Sequence, residues 1–99
     1  MRLYVFSVLD KAVGAYLQPF YARSKGEALR SFTEACADEK SQFARHREDY
    51  VLMYLGEFDD NSGLFASREP ERLLGAHEAV AAVSGSQREP DPPGSEAIN

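Results

Sequence analysis

Tryptophan is absent from the 99 residues, cysteine occurs once and histidine twice. A lone Cys36 excludes a disulfide scaffold within one chain, and together with a retained N-terminus it predicts a reducing cytosol. His46 and His77 stand alone, without metal-ligand spacing. No apolar run approaches the roughly 18 residues of a membrane span, so no membrane partner is expected. Met1-Arg2 leads directly into a strand-like run closed by Asp10 and Lys11, with no small-residue cleavage site of a secretory signal. No glycine-rich phosphate loop follows a strand. Asp59, Asp60 and Asn61 open like a calcium loop, but Pro70 occupies the place of the closing acid and the central glycine is missing. Neither catalysis, a metal nor a cofactor is expected.

What is present is charge, unevenly placed. The net charge is −5, yet residues 1–47 hold eight basic and five acidic residues, and residues 48–99 hold three and eleven. Such asymmetry marks a basic binding face beside an acidic end, or simply acids gathered in turns and a tail.

Residues 2–9 alternate and contain β-branched and aromatic side chains, which predicts a strand with no strongly polar face. Asp10–Gly14 reads as a turn. Ala15–Ala22 resumes an extended pattern, and Pro19 makes it an edge or bulged strand. Ser24-Lys25-Gly26-Glu27 has capping-box form. The helix it starts, Lys25 to Ala37, carries Ala28, Leu29, Phe32, Ala35 and Cys36 as one apolar stripe, so Cys36 reads as a small core residue. Residues 41–49 are polar and irregular, anchored by Phe43. Tyr50–Phe58 reads as a long strand, Asp59–Gly63 as a hairpin loop and Leu64–Ser67 as the returning strand. Ser67 or Glu69 then caps a short C-terminal helix with Leu73, Leu74, His77 and Val80 on one side.

The fold class expected is therefore α+β: a four-stranded antiparallel sheet in β-β-α-β-β order, with one main helix on one face and a short C-terminal helix. Residues 1–83 form a single domain, and 84–99 a disordered acidic tail rich in Pro, Gly and Ser. One helix cannot cover both faces of such a sheet. The uncovered face is expected to carry aromatics and to call for a partner, a second subunit or a ligand.

Single-stranded nucleic acid is held by rings that stack on bases and by cations that follow phosphates. Tyr4 and Phe6 share a strand face, and the spacing places Tyr50, Tyr54 and Phe58 together. Arg2, Arg23, Lys25, Arg30, Arg45 and Arg47 supply positive charge, with His46 between the last two. The same rings equally serve a core or a subunit seam. The absence of Trp and an acidic pI of about 4.9 argue against a strong non-specific binder.

Several segments, read in order, resemble one family. They are Met-Arg-Leu-Tyr-Val-Phe-Ser-Val at the start, Gln18-Pro19-Phe20-Tyr21, Ser24-Lys25-Gly26-Glu27-Ala28, and Glu48-Asp49-Tyr50 through Gly56-Glu57-Phe58-Asp59-Asp60. Over roughly residues 1–75 the chain is similar to the small nonstructural protein of gokushovirus-type microviruses, phages with circular single-stranded DNA genomes. The resemblance implies a non-enzymatic DNA-binding protein of the host cytoplasm, absent from the virion, with a part in making single-stranded progeny genomes. It carries over no DNA-contacting residue. The contacts expected from charge and ring placement are Arg2, Tyr4, Arg23, Lys25, Arg30, Arg45, Arg47, Tyr50 and Tyr54. The partners expected are single-stranded DNA, a second copy in a homodimer, and viral or host replication proteins. The rival expectation is a protein-interaction module that regulates a replication initiator or packaging without touching DNA.

Overall fold

The alternating run at the N-terminus forms a strand, β1 (Arg2–Asp10), in the computed structural model, which describes residues 1–88. It pairs antiparallel along its whole length with β4 (Tyr50–Asp59), from Arg2 opposite Asp59 to Asp10 opposite Tyr50. The other edge of β1 is taken by two short strands, β2 (Ala15–Tyr16) and β3 (Phe20–Ala22). They pair with opposite ends of β1, Leu9 with Tyr16 and Tyr4 with Ala22. Pro19, which has no N–H to give a ladder, lies in the break between them. The sheet thus contains five strands but is four strands wide, completed by β5 (Phe65–Gly75) on the far side of β4.

Three helices follow the cues of the chain to different degrees. In α1 (Lys25–Ala37) the Ser24 hydroxyl accepts from the Glu27 amide at 3.1 Å. The Glu27 carboxylate reaches back to the Arg23 amide at 2.7 Å, one residue earlier than the usual reciprocal box. A four-residue α2 (Gln42–Arg45), capped by Ser41, forms where an irregular stretch was expected. Its Phe43 is the anchor, 5.5 Å from Phe32 of α1 and 5.0 Å from Tyr50 of β4 between ring centres. The third helix, α3 (Ala76–Arg88), packs on α1. All three helices lie on one side of the sheet. Phe6, Val8, Tyr50, Leu52 and Tyr54 meet Ala28, Phe32, Cys36, Ala76 and Ala79 there. Burial pushes the Cys36 thiol up to about 11, so it stays protonated within this core.

Two expectations are corrected by pairing requirements. The short return strand ending at Ser67, with a helix starting at Ser67 or Glu69, is instead an eleven-residue strand. Leu73 and Leu74 have helical spacing from His77 and Val80. Yet β4 would leave a row of unpaired N–H and C=O groups between Val51 and Tyr54 if the chain turned helical at Ser67. Residues 71–75 satisfy that edge, and Pro70 is tolerated because the ladder is interrupted between Ser67 and Glu71. The helix therefore starts at Ala76 and runs through Arg88, past residue 83. The remainder of the expected tail, residues 89–99, lies outside the described residues.

The second correction concerns the long strand itself. Phe6 pairs with Tyr54 but Val5 pairs with Gly56, so Leu55 is an extra, bulged residue. An extra residue in a period-2 element inverts the parity beyond it. Tyr50 and Tyr54 face the helices, whereas Phe58 emerges on the opposite side, next to Leu3 and Phe65. The three rings do not share a face. Gly56 makes the bulge possible: its φ is +148°, and a Cβ there would lie 2.2 Å from the Ala66 carbonyl oxygen.

Candidate nucleic-acid interface

The helix cap delivers cations to one end of the covered face. Because Tyr4 pairs with Ala22, the next residues, Arg23 to Lys25, rise directly from the sheet into the first turn of α1. From the other edge, the interruption of β5 between Ser67 and Glu71 frees Arg68 from the regular ladder. Its guanidinium carbon lies 5.3 Å from the centre of the Tyr54 ring, and the Lys25 Nζ lies 4.7 Å from the same centre. Tyr4, Arg23, Ser24, Lys25, Tyr54, Glu57 and Arg68 together line a cleft of about 490 Å³.

Tyr54 is the floor of this cleft and only 5% exposed. Its ring centre is 6.0 Å from that of Tyr4, which is half-buried and forms the accessible wall. The Tyr54 hydroxyl donates to Glu57 at 3.4 Å. Burial, reinforced by that carboxylate, raises its phenol above the ordinary range, so it remains a neutral donor at physiological pH. Glu57 also holds Arg2 at the rim, at 3.1 Å. Glu71 is 3.5 Å from both Lys25 and Arg68. Arg23 is exposed, and among the described residues its side chain joins no ion pair. Four cations thus surround two carboxylates, and two of them, Lys25 and Arg68, lie over the Tyr54 ring. A cation over a ring face is worth about 0.5–1 kcal/mol at such exposed sites, enough to orient Lys25 and Arg68 without locking them.

The structure brings together Arg2, Tyr4, Arg23, Lys25 and Tyr54 out of the residues expected from sequence. Tyr50 is at the other end of β4, four residues and ~13 Å along the strand from Tyr54. It is 7% exposed, edge-on to Phe43, with its hydroxyl donating to Gln42 at 3.4 Å. It is a core ring beneath α2 and does not lie on an open face. Arg45 and Arg47 accompany that distant end, beside α2, and Arg30 is exposed further along α1. Arg68 escaped the reading of the chain because Ser67–Glu69 resembled a helix cap. The signal was Pro70: a proline inside a hairpin's return strand marks unpaired positions whose side chains can leave the ladder. Among the described residues no group of three His, Cys, Asp or Glu side chains converges as a metal site. Asp59 is engaged by its own turn, accepting from the Asn61 amide at 2.9 Å. No helix among the described residues is long and apolar enough to cross a membrane.

Residues 3–79 match the model of the family described as phage ORF5 protein, and the chain belongs to that family. No curated protein and no solved structure matches it.

Proposed function

We propose that this phage ORF5 family member is a non-enzymatic protein that binds single-stranded DNA in the cleft over Tyr54. The reading places it among gokushovirus-type nonstructural proteins acting in the host cytoplasm during synthesis of single-stranded progeny genomes. One observation carries it: Lys25 and Arg68 converge on one buried ring, beside the accessible Tyr4 and the free-standing Arg23. An unpaired base offers a π-face to Tyr4, and the surrounding cations neutralise the flanking phosphates. A paired base has no free face to offer, which favours single strands. Each base stacked on a ring contributes on the order of 1–3 kcal/mol.

The acidic remainder of the molecule keeps the phosphate backbone to this one region. With four cations at the cleft, log affinity falls with log salt at a slope no steeper than about −3, taking about 0.7 per neutralised phosphate. Fluorescence anisotropy with labelled single- and double-stranded oligonucleotides across a salt series tests this. Binding of single strands that weakens with salt and is lost in Arg23→Ala/Arg68→Ala supports the reading. Absence of binding to either form at low salt overturns it.

A second reading is favoured by the carboxylates. Glu57 and Glu71 already pair with Arg2, Lys25 and Arg68, and a cleft of mixed sign suits a protein partner such as a replication initiator. Capture of a replication or capsid protein that persists at high salt, with no oligonucleotide binding, favours that alternative.

A further inference from the structure

We infer that Lys25 and Arg68 form the seat of one backbone phosphate of the bound strand, and that Glu71 holds that seat when no strand is present. The inference rests on the reading of the cleft as a single-strand site and adds what sets its affinity. Strand pairing places the carboxylate. Glu71 pairs with Tyr54, so its side chain leaves β5 on the same face as the ring. Lys25 reaches the ring from the first turn of α1, and Arg68 from the interrupted part of β5. Both cations then meet one atom: Glu71 Oε1 is 3.5 Å from Lys25 Nζ and 3.5 Å from Arg68 Nη1. An anionic oxygen shared by two cations over a ring marks where a phosphate oxygen is held.

Distance shows that Glu71 is replaceable. Its two pairs are the longest among the ion pairs of the described residues: Glu57 holds Arg2 at 3.1 Å, and Glu78 holds Arg72 at 2.8 Å. A charge-assisted bond closes to about 2.7–2.9 Å. Glu71 shares one oxygen between two cations and closes on neither. A phosphodiester offers two unesterified oxygens, one for each cation, and so satisfies the pair better. The three side chains are 38–49% exposed, so solvent and salt screen the pairs, and displacing the carboxylate costs little. A strand that also stacks on Tyr4 and meets the exposed Arg23 has further contacts with which to displace it. A lone small anion lacks them. Glu71 therefore raises the threshold of the site and favours a strand over small anions.

Fluorescence anisotropy with a labelled single-stranded oligonucleotide, comparing the wild type with Glu71→Gln and Glu69→Gln, tests the inference. Both substitutions remove one negative charge from the same stretch of β5, but Glu69 joins no ion pair among the described residues. Loss of two exposed pairs is expected to tighten binding by Glu71→Gln about two- to tenfold at low salt. The gain narrows as salt rises, because salt already weakens the hold of Glu71 on its cations in the wild type. Glu69→Gln is expected to gain clearly less, and the effect of Glu71→Gln should shrink when Lys25→Ala is already present. A merely structural tie predicts the opposite sign, a small loss of stability with no gain in affinity. Equal gains from Glu69→Gln and Glu71→Gln overturn the inference, since net charge then suffices. Unchanged or weaker binding by Glu71→Gln overturns it too, and leaves the cleft reading standing if wild-type binding still depends on Arg23 and Arg68. No binding by the wild type or either variant at low salt overturns the cleft reading and this inference with it.

Discussion

Beneath the helices the strands present Phe6, Val8, Leu52 and Tyr54; on the far side the same two strands present Val5, Ser7, Val51 and Met53. Both sets are buried and, Ser7 aside, apolar in the middle, yet they end differently. The covered face closes at one end over a ring held between Lys25 and Arg68. The far face ends in the Tyr21, Phe58 and Phe65 ledge, with no cation over it among the described residues. Ring content alone therefore does not distinguish a binding cleft from an exposed ledge of rings. What distinguishes them is whether loops and helix starts bring charge to the rings. The bulge at Leu55 makes this division, because it sends Tyr54 to one side and Phe58 to the other.

The hardest break in that comparison is Gly56→Ala. Any Cβ meets the Ala66 backbone, and φ of +148° is closed to L side chains, so the bulge cannot persist. A loss of at least about 3 kcal/mol is expected from strain plus the forced separation of β4 and β5, read as a lower urea midpoint. Next, Phe6→Ala on the covered face should cost about 3–5 kcal/mol, because the side chain is wholly buried. Phe65→Ala on the far side should change stability by no more than about 0.5 kcal/mol, because that ring is 60% exposed. Urea unfolding of both variants checks the contrast; equal losses would mean that the Phe65 ring is packed as firmly as the core.

A smaller effect concerns the start of α3, which anchors the helical layer to β5. Glu78 accepts from the Gly75 amide and from Arg72, both at 2.8 Å. These bonds, the backbone one first, lower its carboxyl pKa below the ordinary value. A depressed folded-state pKa means that the stabilisation is fully present above the unfolded carboxylate pKa. It is lost as pH falls through the folded one. Thermal unfolding should show the wild type more stable than Glu78→Gln at pH 7, with the gap narrowing below about pH 4. A gap that stays constant with pH would remove the charge from the account. The smallest change is Lys25→Ala, whose exposed pair and ring contact are worth less than about 1 kcal/mol to folding. In oligonucleotide binding it should flatten the salt slope by about 0.7.

Much of the frame was legible along the chain. The β-β-α-β-β order, the Ser24 cap, the stripe from Ala28 to Cys36 and the role of Phe43 as an anchor all follow from short-range spacing. Such spacing reports on residues a few positions apart. It could not report the length of β5, which is set by the hydrogen-bonding demand of a partner strand. Nor could it report the single extra residue at Leu55, invisible in an unbroken apolar run. The candidate cleft was half legible. Arg23, Lys25 and Tyr4 are neighbours through a local turn and one strand pairing, whereas Arg68 arrives from the far edge of the sheet.

The sequence by itself determined an α+β domain with a capped helix, a hairpin at Asp59–Gly63 and no disulfide within the chain. These are properties of residue type and near neighbours. The tertiary structure alone decided which rings lie under the helices, which stand open, and which of many scattered cations converge. Those outcomes depend on strand parity and on pairing between residues as distant as Arg2 and Asp59, where one inserted residue exchanges the two faces of a sheet.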